Sequence, residues 1–159
     1  MTLLEELRRA RKVEKAFPGA LAQVARDATL RAIEAASEAT PPTMDDLSGT
    51  NTRTGELKAH WATDSDAEPK RVMRGYETTL ANNKQYASYV NDGHRMDRHF
   101  VPGLVINDGV LERNMDGTGG IMVGTRTTYV PGLHMTDKAE QAYDETVDAE
   151  ILRLEAMIG

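Results

Sequence analysis

The chain has 159 residues, 40% of them hydrophobic, yet it carries only two Phe and one Trp. That length suits one domain with one core, and the core must be aliphatic and thin, so completion of burial against neighbouring chains is expected. A formal charge of -6 argues against a protein that grips nucleic acid, because that affinity comes from Lys and Arg on phosphates, and the absence of cysteine excludes disulfides, zinc-thiolate sites and thiol catalysis.

Residues 3 to 16 are dense in helix formers, with Leu3, Leu7, Ala10 and Val13 at helical spacing, which predicts an amphipathic helix. Pro18 suits the first turn of a second helix. Leu21, Val24, Ala25, Ala28, Ala32, Ile33 and Ala36 continue it as a stripe of small residues toward Thr40, so the helices together cover about residues 3–40. Pro41-Pro42 ends that run, because proline has no N–H and disfavours a helical residue before it.

The segment 41–54 is rich in Ser, Thr, Asn, Asp and Gly and reads as a mobile loop. Gly55 to Trp61 is either a short helical turn or the entry to a strand. Arg71 to Leu80 and Tyr86 to Val90 read as strands joined through Ala81-Asn-Asn-Lys84, with Asp92-Gly93 as the next turn. Between about 97 and 127 lies an inserted loop containing a hairpin-like pair, Phe100 to Ile106 and Gly120 to Val123, around Asn107-Asp-Gly109 and Asp116-Gly-Thr-Gly-Gly120. Phe100-Val-Pro-Gly-Leu104 is echoed by Tyr129-Val-Pro-Gly-Leu133. The sheet region therefore spans about 55–135. A helix over 136–157 follows, capped by Thr136 or Asp137, with Ala139, Ala142, Tyr143, Val147, Ile151, Leu154 and Ile158 in a 3.6-residue rhythm. The predicted class is α+β in a single domain, 1–159: a small antiparallel sheet packed by N-terminal helices and a long C-terminal helix.

No apolar run approaches the roughly 20 residues that span a bilayer, and the N-terminus lacks the apolar stretch of a signal peptide. A protein made in a cytoplasm, without membrane contact, is expected. His94, His99 and His134 stand near Asp92, Asp97 and Asp137, a set that could ligate a metal in a small hydrolase. However, no two His fall at helical i, i+4 spacing, and turns collect His and Asp anyway. Ser48 and Ser88 lack a Gly-x-Ser-x-Gly context, and Gly117-Thr-Gly-Gly120 lacks the Gly-Lys-Ser/Thr of a phosphate loop. The expectation is no catalysis, no cofactor and no metal. Arg8, Arg9, Arg11, Lys12 and Lys15 are interleaved with Glu5, Glu6 and Glu14 and read as a solvated helix face; Tyr86, Tyr89 and Tyr129 read as sheet packing. The acids gather at the far end, seven from Asp137 to Glu155 against Lys138 and Arg153.

Taken in order, a pair of N-terminal helices ending in Ala39-Thr40-Pro41, then Thr54-Gly-Glu-Leu57 with Trp61, then Asn83 to Tyr86 leading into Tyr89-Val90 and Gly93-His94-Arg95, then Val130-Pro-Gly-Leu-His-Met135 and a closing helix, this chain resembles the neck or tail-completion proteins of long-tailed bacteriophages. The likeness is spread over most of the chain as four short matches. Asn91-Asp92 stands where relatives carry an acidic residue, and the 97–127 segment is longer than in many of them. The resemblance implies an α+β virion protein at the head-to-tail junction, made in the host cytoplasm. It implies a homo-oligomer, a closed ring of roughly six or twelve copies around the DNA channel. Its partners would be connector or head-closure proteins on one side and tail-terminator or tail-tube proteins on the other, with DNA passing unbound. On this reading the subunit or ring interface draws on Tyr89, Asn91, His94, Arg95, Phe100, Leu104, Met122, Tyr129 and His134. Asp144, Glu145 and Asp148 would face the channel, where carboxylates repel phosphates. A tail terminator or head-closure ring fits the same features, and a cytoplasmic adaptor binding through its helices is a further alternative.

Overall fold

The structure, a computed structural model, describes residues 3–42, 55–114, 116–124 and 128–158. The loop expected at 43–54 lies outside the described residues. The fold is α+β: among the described residues, four helices and small antiparallel sheets of two strands each. The chain divides into two compact units, one of Met1–Ala87 with His134–Gly159, the other of Ser88–Leu133.

In the first unit, α1 runs unbroken over Leu3–Glu38, where two helices were expected. Pro18 lies inside it rather than at a helix start. The ring costs the bond that the Glu14 carbonyl would accept, and because Glu14 and Pro18 are both exposed, water can satisfy that carbonyl. Val24, Ala28, Thr29, Ala32 and Ala36 are the buried face of α1, at the positions of the small-residue stripe. Against it packs α4, Met135–Ile158, which buries Met135 and Ala139. The two helices run antiparallel. Thr40 Oγ1, just past the end of α1, lies 2.9 Å from Met135 Sδ at the start of α4, while farther along both helices the Arg31 guanidinium, held above its ordinary pKa first by Glu34 and then by Glu38, also feels Glu145.

The C-terminal helix begins a residue earlier than expected, so neither Thr136 nor Asp137 is the cap. His134 takes that place, with φ of 51° and its carbonyl accepting the Lys138 N–H at 3.2 Å. Between α1 and α4 in sequence come α2, Glu56–Asp64, and a hairpin of β1, Asp66–Val72, with β2, Gly75–Thr79. Pro69, which cannot donate to a ladder, sits where the β1 register shifts. The expected strand from Arg71 to Leu80 is thus folded back on itself at Met73-Arg74. Thr78 donates to Thr29 Oγ1 at 2.6 Å, since the Thr29 proton is used on the Ala25 carbonyl, and this ties β2 to α1. The Asn-rich segment after β2 is fastened to α2: Asn82 Nδ2 donates to the Leu57 carbonyl, the Asn83 N–H to Asp64, and Lys84 Nζ to Glu56.

All but the first residue of α3, Ala87–Asp92, belongs to the second unit, and the strand expected at Tyr86 to Val90 is this short helix. Gly93, with φ of 81°, supplies the left-handed residue that ends it. The Asp92-Gly93 signal is therefore a helix terminus and not a hairpin turn. β3, Gly93–Arg95, pairs antiparallel with β8, Tyr129–Pro131. Between them runs a long kinked ribbon: β4, His99–Pro102, pairs with β7, Gly120–Val123, and β5, Leu104–Asn107, pairs with β6, Val110–Arg113. Asp108 and Gly109 both have positive φ, 49° and 82°, the primed turn whose twist suits a tight hairpin.

Candidate interaction surface

All eight buried hydrophobic side chains among the described residues belong to the first unit: Val24, Ala28, Ala32, Ala36, Leu57, Trp61, Met135 and Ala139. The second unit contributes none. Its only buried residue among those described is Gly103, which has no side chain. What holds it is backbone geometry. The Leu133 N–H donates to the Val90 carbonyl at 2.9 Å, the β3–β8 ladder follows, and the Met96 N–H donates to the Thr128 carbonyl at 3.0 Å. The two strands can approach because Gly93 and Gly132 face each other; a Cβ on Gly132 would overlap the Asn91 carbonyl oxygen.

On that frame stand the residues singled out from the sequence. Tyr89 is exposed and meets His94 edge to face, ring centroids 5.8 Å apart at 88°, while His94 Nδ1 lies 3.4 Å from the Tyr89 carbonyl. Tyr129 is exposed, donates to the Asp92 carbonyl at 3.2 Å and stands opposite Arg95 in the ladder. Asn91 donates to Asp92. On the ribbon, Phe100 and Met122 are directly opposed on one face and both exposed, 56% and 42%. The Phe100 ring covers Gly120, where an added Cβ would run into Cζ. Farther out, Ile106 and Val110 are also exposed, two residues the sequence reading did not single out. Leu104 is half-buried. Of the nine interface candidates, eight therefore share the second unit, and His134 belongs to the first, as the cap of α4 beside Asp137 at 3.2 Å. The tyrosines are not buried sheet packing: they are outward aromatic surface.

The expected channel-facing acids lie in the first unit. Asp144, Glu145 and Asp148 are exposed; at about 100° per residue Asp144 and Asp148 fall on the side of α4 opposite the buried Ala139, and Glu145 lies at the edge of that side, where Arg31 of α1 feels its charge. Gln141 donates to Glu145 at 2.8 Å. The same strip carries Ile151 and Leu152, both exposed, a combination that the charge count alone does not show.

Groups that could carry chemistry are scattered. His99 Nδ1 lies 2.7 Å from the Asp97 carbonyl and His60 Nδ1 2.8 Å from Asp64, each a local contact. Among the described residues no group of three or more His, Asp or Glu comes together as a metal site. A cleft of about 510 Å3 in the first unit, between α1, the β1–β2 hairpin and α4, is lined by Thr29, Tyr76, Thr78 and Tyr143 with Glu77 and Glu140. No helix among the described residues is long and apolar enough to cross a membrane. The arrangement can present apolar and aromatic surface on a ribbon and charge on a helix, which is the chemistry of a protein contact. Compared with known protein families, characterised proteins and solved structures, the chain matches none.

Proposed function

We propose that the chain is a structural virion protein of the phage head-to-tail junction, a neck or tail-completion subunit that assembles as a ring around the DNA channel. The observation that carries the reading is the second unit, which holds part of the resemblance and leaves Tyr89, Phe100, Ile106, Val110, Met122 and Tyr129 exposed. Two of the resembling segments, one ending at Arg95 and the other beginning at Val130, are far apart in sequence and adjoin through the β3–β8 ladder, where His94 stands opposite Val130. An apolar surface of this kind, on a unit with no buried apolar side chain among its described residues, marks a contact surface, because water-facing Phe, Ile, Met and Tyr gain by association. In this reading Phe100, Met122, Ile106 and Val110 meet a neighbouring subunit or the adjoining connector or tail ring. The subunits join head to tail, the kind of interface that closes into a ring by rotation. An acidic assembly lets DNA pass, since carboxylates do not hold phosphates.

A tail-terminator or head-closure ring is the nearest alternative and differs only in its neighbours. Mass spectrometry of purified particles, followed by cryo-electron microscopy of the neck, tests the reading. The expected result is the protein in ring-like copy number at the head-to-tail junction. Particles complete without it would overturn the proposal and favour an adaptor that acts before assembly.

A further inference from the structure

The helix pair is unequal. α1 has 36 residues and α4 has 24, roughly 54 Å against roughly 36 Å at the ordinary helical rise. The pairing places Thr40 beside Met135 and Arg31 within reach of Glu145. Continued along both helices, this antiparallel register brings the last described turn of α4 beside about residue 17 of α1. Before that point α1 runs on past α4: from Leu4 to Gly19 every residue but the half-buried Val13 is exposed. Roughly four turns of helix thus stand as an arm.

One face of this arm has a definite pattern. At about 100° per residue, Leu4, Leu7, Arg8, Arg11 and Lys15 fall within one side of the helix, with Leu4 58% exposed. The outward strip of α4 has the complementary pattern: Asp144, Glu145 and Asp148, then Ile151 and Leu152, the last 65% exposed. Lys138 lies about two turns before Glu145 on nearly the same side, beyond the matched stretch, and Arg153 lies off the strip. Laid antiparallel, the two faces match along their length in one register, Leu4 against Leu152, Arg8 against Asp148 and Arg11 against Glu145.

From this charge and length complementarity we infer that the outward face of α4 is the receptor for the α1 arm of a second copy of the chain. The inference rests on the assembly reading and deepens it by naming one contact between copies. It gives Asp144, Glu145 and Asp148 a covered role instead of a channel-facing one, and the two exposed aliphatic side chains among them favour cover over a wet lining. An arm cannot reach the strip of its own α4, because a straight helix carries it away along the axis. The contact therefore joins different copies and is heterologous, each copy offering an arm and a strip.

The absence of cysteine makes a clean test. Two full-length proteins, Leu4→Cys and Leu152→Cys, are mixed under mild oxidation, with Asp108→Cys at the ribbon turn replacing either one as the control for random collision. The mixed disulfide dimer should exceed the control by at least about tenfold. Arg8→Glu, Arg11→Glu and Lys15→Glu in the first protein should lower the yield about tenfold, and Asp144→Lys, Glu145→Lys and Asp148→Lys in the second should restore it, since the two opposed pairs act together with the neighbouring charges of each face. A yield no greater than the control, or one insensitive to the charge reversals while circular dichroism shows intact helix, overturns the inference. Cross-linking with no protein in the particles would sink the neck reading and leave this contact standing; protein in the neck without cross-linking would do the reverse.

Discussion

Thr40 shows how much one buried hydroxyl can organise. It is fully buried, donates to the Ala36 carbonyl at 2.6 Å and accepts the Trp61 Nε1–H at 2.8 Å, with the Met135 sulfur against it, so α1, α2 and α4 meet on one side chain. Thr40→Val keeps the shape and removes the acceptor, leaving the indole N–H buried without a partner. A loss of about 1–3 kcal/mol is expected in denaturant unfolding. Adding Trp61→Phe should cost less in the Thr40→Val background than in the wild type, because the orphaned donor is gone. Asp64 is the second such residue. The Asn83 N–H, and then His60, hold its carboxyl below the ordinary carboxylate range. A pKa lowered on folding contributes stability that is present above the unfolded value of about 4 and lost as pH falls through the folded value. Glu56 with Lys84, Asp66 with Lys70 and Asp116 with Thr118 shift the same way. Asp64→Asn should therefore lower the midpoint at pH 7 and flatten its fall below about pH 4; an unchanged acid limb would refute this role.

At the scale of elements, legibility followed periodicity. The C-terminal helix and the small-residue face of α1 were readable because their apolar positions repeat at helical spacing over many turns. Tyr86 to Val90 was not, because aromatic and β-branched residues favour strands locally, and it is the Ala87 N–H bond to the Lys84 carbonyl and the glycine at 93 that make it helical. Trp61 and Thr40 belong to a contact between distant segments, which no window of sequence contains. Pro18 was misplaced for a related reason: in isolation it starts helices, and only the continuous path of α1 puts it inside one. Its cost remains in the arm. Pro18→Ala should restore the bond to the Glu14 carbonyl, raise helix content and slow amide exchange from Leu7 to Phe17, with a gain of up to about 3 kcal/mol in local stability. Exchange left unaltered would mean that something other than the helix's own bonds orders the arm.

At the scale of the whole molecule, the two units differ in what holds them. The first has the buried apolar side chains; the second has two-stranded ladders, which are marginal alone. Amides of β4 to β7 should accordingly exchange well before those of Val24 to Ala36, and with a smaller opening free energy, when native-state exchange is followed in dilute denaturant. Equal protection in both would show that the ribbon is locked by more than its ladders. The α+β class and the ends of the chain were legible because composition and long periods carry them. The interface candidates were chosen on the turn and strand motifs that carry the resemblance, and their exposure was not legible, since alternation in a ribbon with no buried apolar side chain among its described residues does not say which face is dry.

A segment whose fold rests on hydrogen bonds and on the close approach of Gly93 to Gly132 has freed its side chains from the duty of packing. Phe100, Ile106 and Met122 can be exchanged over generations with little penalty to folding, while the glycines cannot. Such a ribbon is a backbone scaffold on which surface chemistry can be changed while its path stays the same.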